Sequence, residues 1–211
     1  DLDLILARQE GLPNLGGSKV ELVFADSQGS PEKGQAEAER LITQEKVVAL
    51  IGAYQSAVTA TASQAAERLG IPFINADSSA ISLTERGFKW FFRTGPHDGT
   101  FVTNLFAMLQ DLERVKGIRV KTIGIVNDNT LAGVDFAKNT RDVAGKYGYE
   151  VAVQIAHPTN TTDVTSEVQK LKATNPGVVF QLSYTSDAIL FMRTYKQLDY
   201  NPQMVLGYGS G

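Results

Sequence analysis

With 211 residues the chain is long enough for one large domain or two smaller ones, and its 43% hydrophobic content is that of a folded globular protein. A net charge of -3 offers nothing to attract nucleic acid or an anionic membrane surface. The absence of Cys excludes disulfides, iron–sulfur clusters and thiolate zinc sites, and no stretch reaches the roughly 20 apolar residues needed to span a bilayer.

Asp1 to Arg8 reads as a helix remnant, without the strand that usually opens an α/β fold, so the chain reads as part of a longer protein. Gly11 to Ser18 is a loop, and Lys19 to Asp26 (KVELVFAD) alternates and then turns apolar as a strand does. After a turn at Asp26 to Ser30, Pro31 suits the first position of a helix and Glu32 its acidic first turn. Ala38, Leu41 and Ile42 form its inward stripe.

The organising stretch is Val47 to Thr84. An apolar run, Val47 to Ile51, stops at Gly52, a helix follows from Ser56 to Leu69, Gly70 ends it, and Ile71 to Ile74 makes a second strand. This is a βαβ unit with parallel strands, and ligands bind such sheets beyond the carboxyl ends of the strands. Two polar loops fall there: Tyr54-Gln55-Ser56, and Asn75 to Ala80, which contains Asp77, Ser78 and Ser79.

Phe88 to Thr94 is an aromatic run, read as packed core at a domain junction because no basic field or RNA-binding signature accompanies it. The second half repeats the rhythm: helix Asp98 to Leu112, strand Val120 to Val126, loop Asn127 to Gly133, helix Val134 to Tyr147, strand Tyr149 to Ile155, helix Thr162 to Ala173, strand Val178 to Leu182, helix Ser186 to Leu198, strand Gln203 to Leu206. The fold class is therefore α/β with parallel sheets in two Rossmann-like lobes: residues 1–95, incomplete; residues 96–206; and 207–211 as the start of a crossing back. A cleft between lobes is the usual place for a small-molecule site.

Catalytic constellations are missing from the sequence: no HExxH, GxSxG or phosphate-loop motif occurs, and GGS near Gly16 precedes a strand, the wrong order for a dinucleotide fingerprint. The reading is of a protein that is not an enzyme and carries no cofactor or metal. Asp26 reads as a turn cap, and the Asp128 loop lacks the partners of a phosphoacceptor. The uncharged donors Ser56, Ser78, Ser79, Thr130, Tyr184 and Thr185 instead gather at strand ends. Ser56 opens a helix, where its hydroxyl and the backbone amides suit a carboxylate; a plain N-cap accounts for it equally well.

Three segments, VELVFADSQGSPEKGQAEAERLI, VVALIGAYQSAVTATAS and GIPFINADSSAISLTERGFKWFFRT, resemble the leucine/isoleucine/valine-binding family of periplasmic solute-binding proteins that serve ABC transporters. TIGIVNDNTLAGVDFA and VVFQLSYTSDAILFMRTYKQL extend the likeness over almost the whole chain. The resemblance implies two hinged lobes closing over a small solute, a membrane permease as partner, no nucleic acid, and a periplasmic or, in a Gram-positive cell, lipid-anchored location. It also implies that the first strand and the C-terminal third lie outside this chain.

By position, Ser56 falls where the family binds the ligand carboxylate, Asp77 and Ser79 where it contacts the amino and carboxylate groups, and Tyr184 where a second-lobe tyrosine lies beside the ligand. Tyr54 and Gln55 would shape the floor. Two positions depart. Ala132 stands where a tyrosine is expected, and Gly209 where an acidic residue commonly pairs with the ligand ammonium. Either Asp77 supplies that charge or the solute lacks an α-amino group. A ligand-sensing domain of a receptor or operon regulator is the alternative, and a nucleotide-dependent enzyme a remote one.

Overall fold

The computed structural model describes residues 12, 14 and 16–208. Its first helix, α1 (Pro31–Thr43), starts where Ser30 accepts the Lys33 amide and Pro31 fills a position that needs no amide donor. The second, α2 (Ser56–Leu69), ends at Gly70, whose left-handed φ of 70° lets its amide reach back to Ala66 and Glu67. These helices pack closely because position 34 is glycine: a Cβ there would lie 2.5 Å from Val58 Cγ1.

Both cover a three-stranded parallel sheet in the order β1 (Leu50–Ile51), β2 (Phe73–Asn75), β3 (Phe91–Arg93). Leu41, Ile42, Leu50, Ala62, Ala66 and Phe73 form its core. This sheet and its helices constitute the first lobe.

Two sequence expectations fail here. Lys19 to Asp26 contains no assigned strand and none of its side chains is buried; Phe24 is 83% exposed. Alternation marks a segment able to pair, but a strand exists only when a neighbour supplies the ladder, and β1 holds only β2. The aromatic run is core only at Phe91, which packs against the first-lobe cluster and stacks on Phe73 at 6.0 Å. β3 is an edge strand, Phe92 is 49% exposed, and the other rings are half-buried under cations. The Arg86 guanidinium lies 4.1 Å above Phe88 and 5.2 Å above Phe91, and Lys89 lies 5.3 Å above Trp90. The segment Asp1 to Arg8 lies outside the described residues.

The second lobe is a parallel sheet in the order β5 (Glu150–His157), β4 (Thr122–Asp128), β6 (Val178–Leu182), β7 (Val205–Tyr208). Its helices are α3 (Asp98–Lys116), α4 (Leu131–Ala144), α5 (Thr165–Thr174) and α6 (Thr185–Gln197). All five residues of β6 are buried, so it is covered on both faces. Successive strand residues point to opposite faces: Ile123, Ile125, Val178, Phe180 and Leu182 meet Phe106 and Phe136, whereas Val126, Val179 and Ile155 meet Leu171 and Phe191.

Helix boundaries differ from the sequence reading where caps decide them. Thr130 caps α4, so the helix starts at Leu131 rather than Val134, and Gly117, with φ 69°, stops α3 four residues beyond Leu112. The chain passes from β3 to α3 through Thr94 to His97, where Gly95 is packed so closely that a Cβ would lie 2.0 Å from the Ala76 carbonyl oxygen.

Candidate functional site

The loop that follows β1 is fixed from below. Asn75 Nδ2 donates to the carbonyls of Gly52 (2.9 Å) and Ala53 (3.2 Å), the Thr59 hydroxyl receives the Ala53 amide (3.0 Å), and the Ser78 hydroxyl donates to Ala53 O (2.6 Å). Asn75, Thr59 and Ser78 are each at most 1% exposed, and a buried polar group must find such partners. The result holds Tyr54 and Gln55 at the open end of the sheet.

Across from them stand the loops that follow β4 and β6. Asp128 Oδ1 accepts the Thr130 amide (2.9 Å) and hydroxyl, and Thr130 in turn caps α4. Tyr184 is the N-cap residue of α6, and its ring faces that of Tyr54 at 6.0 Å between centroids, tilted by 55°.

Between the two lobes lies a cleft of about 640 Å³. The first lobe contributes Gln28, Gly29, Tyr54 and Gln55, and the second Asn129, Thr130, Asn160, Tyr184 and Thr185. Among the described residues no Asp, Glu, Lys or Arg lines it. The starts of α2, α4 and α6 all open on it, and the side chains of Gln55 and Tyr184 cap neither α2 nor α6. A helix N-terminus carries roughly half a positive charge in its first-turn amides. The cleft thus offers partial positive charge, hydroxyls, amides and two aromatic rings.

Burial, with the negative charge of Asp128 added, pushes the Tyr184 phenol up to about 12, so it stays a neutral hydrogen-bonding group. Asp128 itself is raised by burial, against the two Thr130 hydrogen bonds, and its Oδ2 is buried without a partner. His157 stands nearby, its Nδ1 2.9 Å from the Pro158 carbonyl and its Nε2 3.1 Å from the Ser183 hydroxyl. A carbonyl only accepts, so the ring proton belongs on Nδ1.

The residues singled out from sequence are distributed unevenly. Tyr54, Gln55, Thr130, Tyr184 and Thr185 line the cleft. Ser56 is 2% exposed and its hydroxyl accepts the Ala80 amide (3.2 Å), joining the two loops of the first lobe. Ser78 lies beneath Tyr54, Ser79 is half-buried with its carbonyl bonded to the Asp98 amide, and Asp77 is exposed. Ala132 is packed in the second-lobe core, Gly209 lies outside the described residues, and Asp26 caps a turn by accepting the Gln28 amide (2.8 Å). Sequence reasoning missed Gln28, Asn129 and Asn160 as lining groups. Asn129 sat in the recognised NDNTLAG loop, but nothing local marks Gln28 or Asn160.

Comparison with known proteins agrees with this fold. Residues 7–211 match the model of a family described as periplasmic binding protein. Leu/Ile/Val-binding protein homolog 8 of Brucella abortus is 32% identical over 206 residues, covering 93% of this chain and 50% of that protein, so the chain spans about half the length of the curated relatives it matches. A leucine-binding protein from Thermotoga maritima superposes with a TM-score of 0.84 at 21% identity, covering 98% of this chain and 56% of that one. A solute-binding protein of an ABC transporter from Rhodopseudomonas palustris, in complex with 3,4-dihydroxybenzoic acid, does so with 0.80 at 19% identity, covering 99% and 56%. With a parallel α/β architecture of the type I kind and a family match over nearly its whole length, the chain belongs to the periplasmic binding protein family, whose members here are binders of solutes and not enzymes.

Proposed function

We propose that this chain forms most of the solute site of an extracytoplasmic binding component of an ABC uptake transporter. Its lobes, residues 1–95 and 96–206, take a small carboxylate-bearing solute into the cleft and present it to a membrane permease. The observation that carries the reading is the cleft itself: about 640 Å³ between two sheets, faced by three helix starts and, among the described residues, lined by no charged side chain. Helix starts favour the carboxylate, and Tyr54 and Tyr184 hold the body of the solute between their rings.

Relatives are named for branched-chain amino acids and hydroxybenzoates; in this cleft an aromatic or aliphatic acid fits better than an α-amino acid. An ammonium ion enclosed without a carboxylate is costly, and Asp77, the one candidate from the first lobe, is exposed and does not line the cleft. The family match supports an extracytoplasmic location. Among the described residues no helix is long and apolar enough to cross a membrane.

Thermal-shift screening of the full-length protein against hydroxybenzoates, aliphatic acids, branched-chain amino acids, NAD and ATP tests both levels. A ligand at 100 times its Kd adds about 2.7 kcal/mol of stability, a shift of several degrees. Stabilisation by an acid lacking an amino group is the expected result. Stabilisation by leucine alone would remove the preference and keep the binder, and stabilisation by nucleotides alone would overturn the reading.

A further inference from the structure

The joint between the lobes holds a buried charge cluster that the cleft does not use. Asp98 is fully buried at the start of α3, directly after the crossing Thr94 to His97. Its Oδ1 accepts the hydroxyl of Tyr208, the last residue of β7, at 2.8 Å, and its amide donates to the Ser79 carbonyl of the first lobe at 2.8 Å. Asp135 of α4 makes a second link, its Oδ2 accepting the first-lobe Ser82 amide at 3.0 Å.

Arg93 of β3 lies within the field of both carboxylates. Its Nη2 donates to the Ala80 carbonyl at 2.6 Å, while Nε and Nη1 are buried and unpartnered. Asp98 Oδ2 is buried and unpartnered too. The guanidinium is charged at any pH, so once Asp98 ionises, its unpaired oxygen and the unpaired guanidinium edge both gain by moving into contact, and the arrangement that keeps them apart loses to the paired one.

We propose that this cluster is a proton-linked switch on the lobe angle: the arrangement described here belongs to neutral Asp98, and ionised Asp98 draws Arg93 into an ion pair that resets the joint. The proposal rests on reading the chain as a two-lobed solute binder, whose affinity would then depend on pH through the joint and not the cleft.

The groups facing Asp98 are Tyr208 from β7, Ser79 from the loop after β2, Arg93 from β3 and Asp135 from α4. Burial pushes its carboxyl up to about 6; the Tyr208 and Ser79 hydroxyls oppose this, Asp135 adds to it and Arg93 subtracts. A carboxyl raised by burial favours its surroundings while protonated, so this arrangement gains as pH falls below about 6 and loses as pH rises through it.

The chain has no Cys, so one cysteine per lobe, Gln64→Cys and Lys170→Cys, takes spin labels at defined exposed sites of the full-length protein, with any Cys outside this chain replaced by Ser. Pulsed electron paramagnetic resonance then reads the interlobe distance without added solute. The wild-type distribution is expected to change with a midpoint near pH 6, and Asp98→Asn to keep the low-pH distribution throughout. Tyr208→Phe removes a hydrogen bond to the ionised form and should raise the midpoint by about one pH unit. No change with pH in the wild type, the same change in Asp98→Asn, or an unmoved midpoint in Tyr208→Phe overturns the proposal. Should Asp98→Asn fail to fold, Tyr208→Phe decides. A wrong assignment of the cleft shows only in the solute screen.

Discussion

Phe106→Ala is expected to lower the stability of the second lobe by about 3–5 kcal/mol, the cost of removing a large buried ring and leaving a cavity. Phe106 is fully buried on α3, with Tyr147 stacked at 4.7 Å, Phe180 at 5.3 Å and Tyr149 at 5.4 Å. Those rings come from two separate segments of the chain, Tyr147 to Tyr149 and β6, so no single side-chain movement closes the space. Guanidinium unfolding of the full-length protein measures the loss. Phe92→Ala is the control: the ring is 49% exposed on an edge strand, and a surface change of this kind costs about 0.5 kcal/mol or less. Equal losses from the two would mean that the core of this lobe has been placed wrongly.

The second large effect is expected at Gly133, in the first turn of α4. A Cβ there would lie 2.1 Å from the Asp128 carbonyl oxygen and 2.5 Å from its Oδ1. The obstacle is backbone, which cannot rotate aside, so Gly133→Ala must push the end of β4 from the start of α4, at a cost of about 3 kcal/mol. Asn129 and Thr130 line the cleft from that same loop, and solute affinity should fall together with stability. Gly145→Ala provides the contrast: φ is -61° and nothing lies within 4 Å of the added methyl. It should leave affinity alone and add up to about 1 kcal/mol of stability. Differential scanning calorimetry and solute titration on the two variants separate these outcomes.

Much of the fold is written locally. The central second-lobe strands β4 and β6 declare themselves as apolar runs because both of their faces are covered, and Pro31, Gly70 and Gly117 mark helix ends through backbone chemistry that needs no tertiary knowledge. Lys19 to Asp26 shows the limit. A strand depends on a neighbour, and the pattern of one segment says nothing of whether the neighbour is there.

The site was legible to the level of loops and less so to the level of side chains. Position at the carboxyl ends of parallel strands named the loops that hold Tyr54, Gln55, Thr130 and Tyr184. Residue type did not reveal direction. Ser56 and Ser78 look like ligand donors in sequence, yet both hydroxyls bond to neighbouring loop backbone. Ala132 turned inward because Thr130 starts α4 earlier than the apolar pattern suggested, rotating that position towards Phe136. The Asp98 cluster had no local signal at all: its members are spread from Ser79 to Tyr208 and meet only where the chain passes between lobes.

The most direct test of the central claim is native mass spectrometry of the gently purified full-length protein beside a Tyr54→Ala/Tyr184→Ala variant, with denaturing identification of any released compound. Each ring contact contributes on the order of 1 kcal/mol, so losing both should weaken retention on the order of tenfold or more. The account predicts one small carboxylate-bearing compound per wild-type molecule and its loss from the variant. A compound retained equally by both proteins, or a nucleotide in place of an acid, would contradict it.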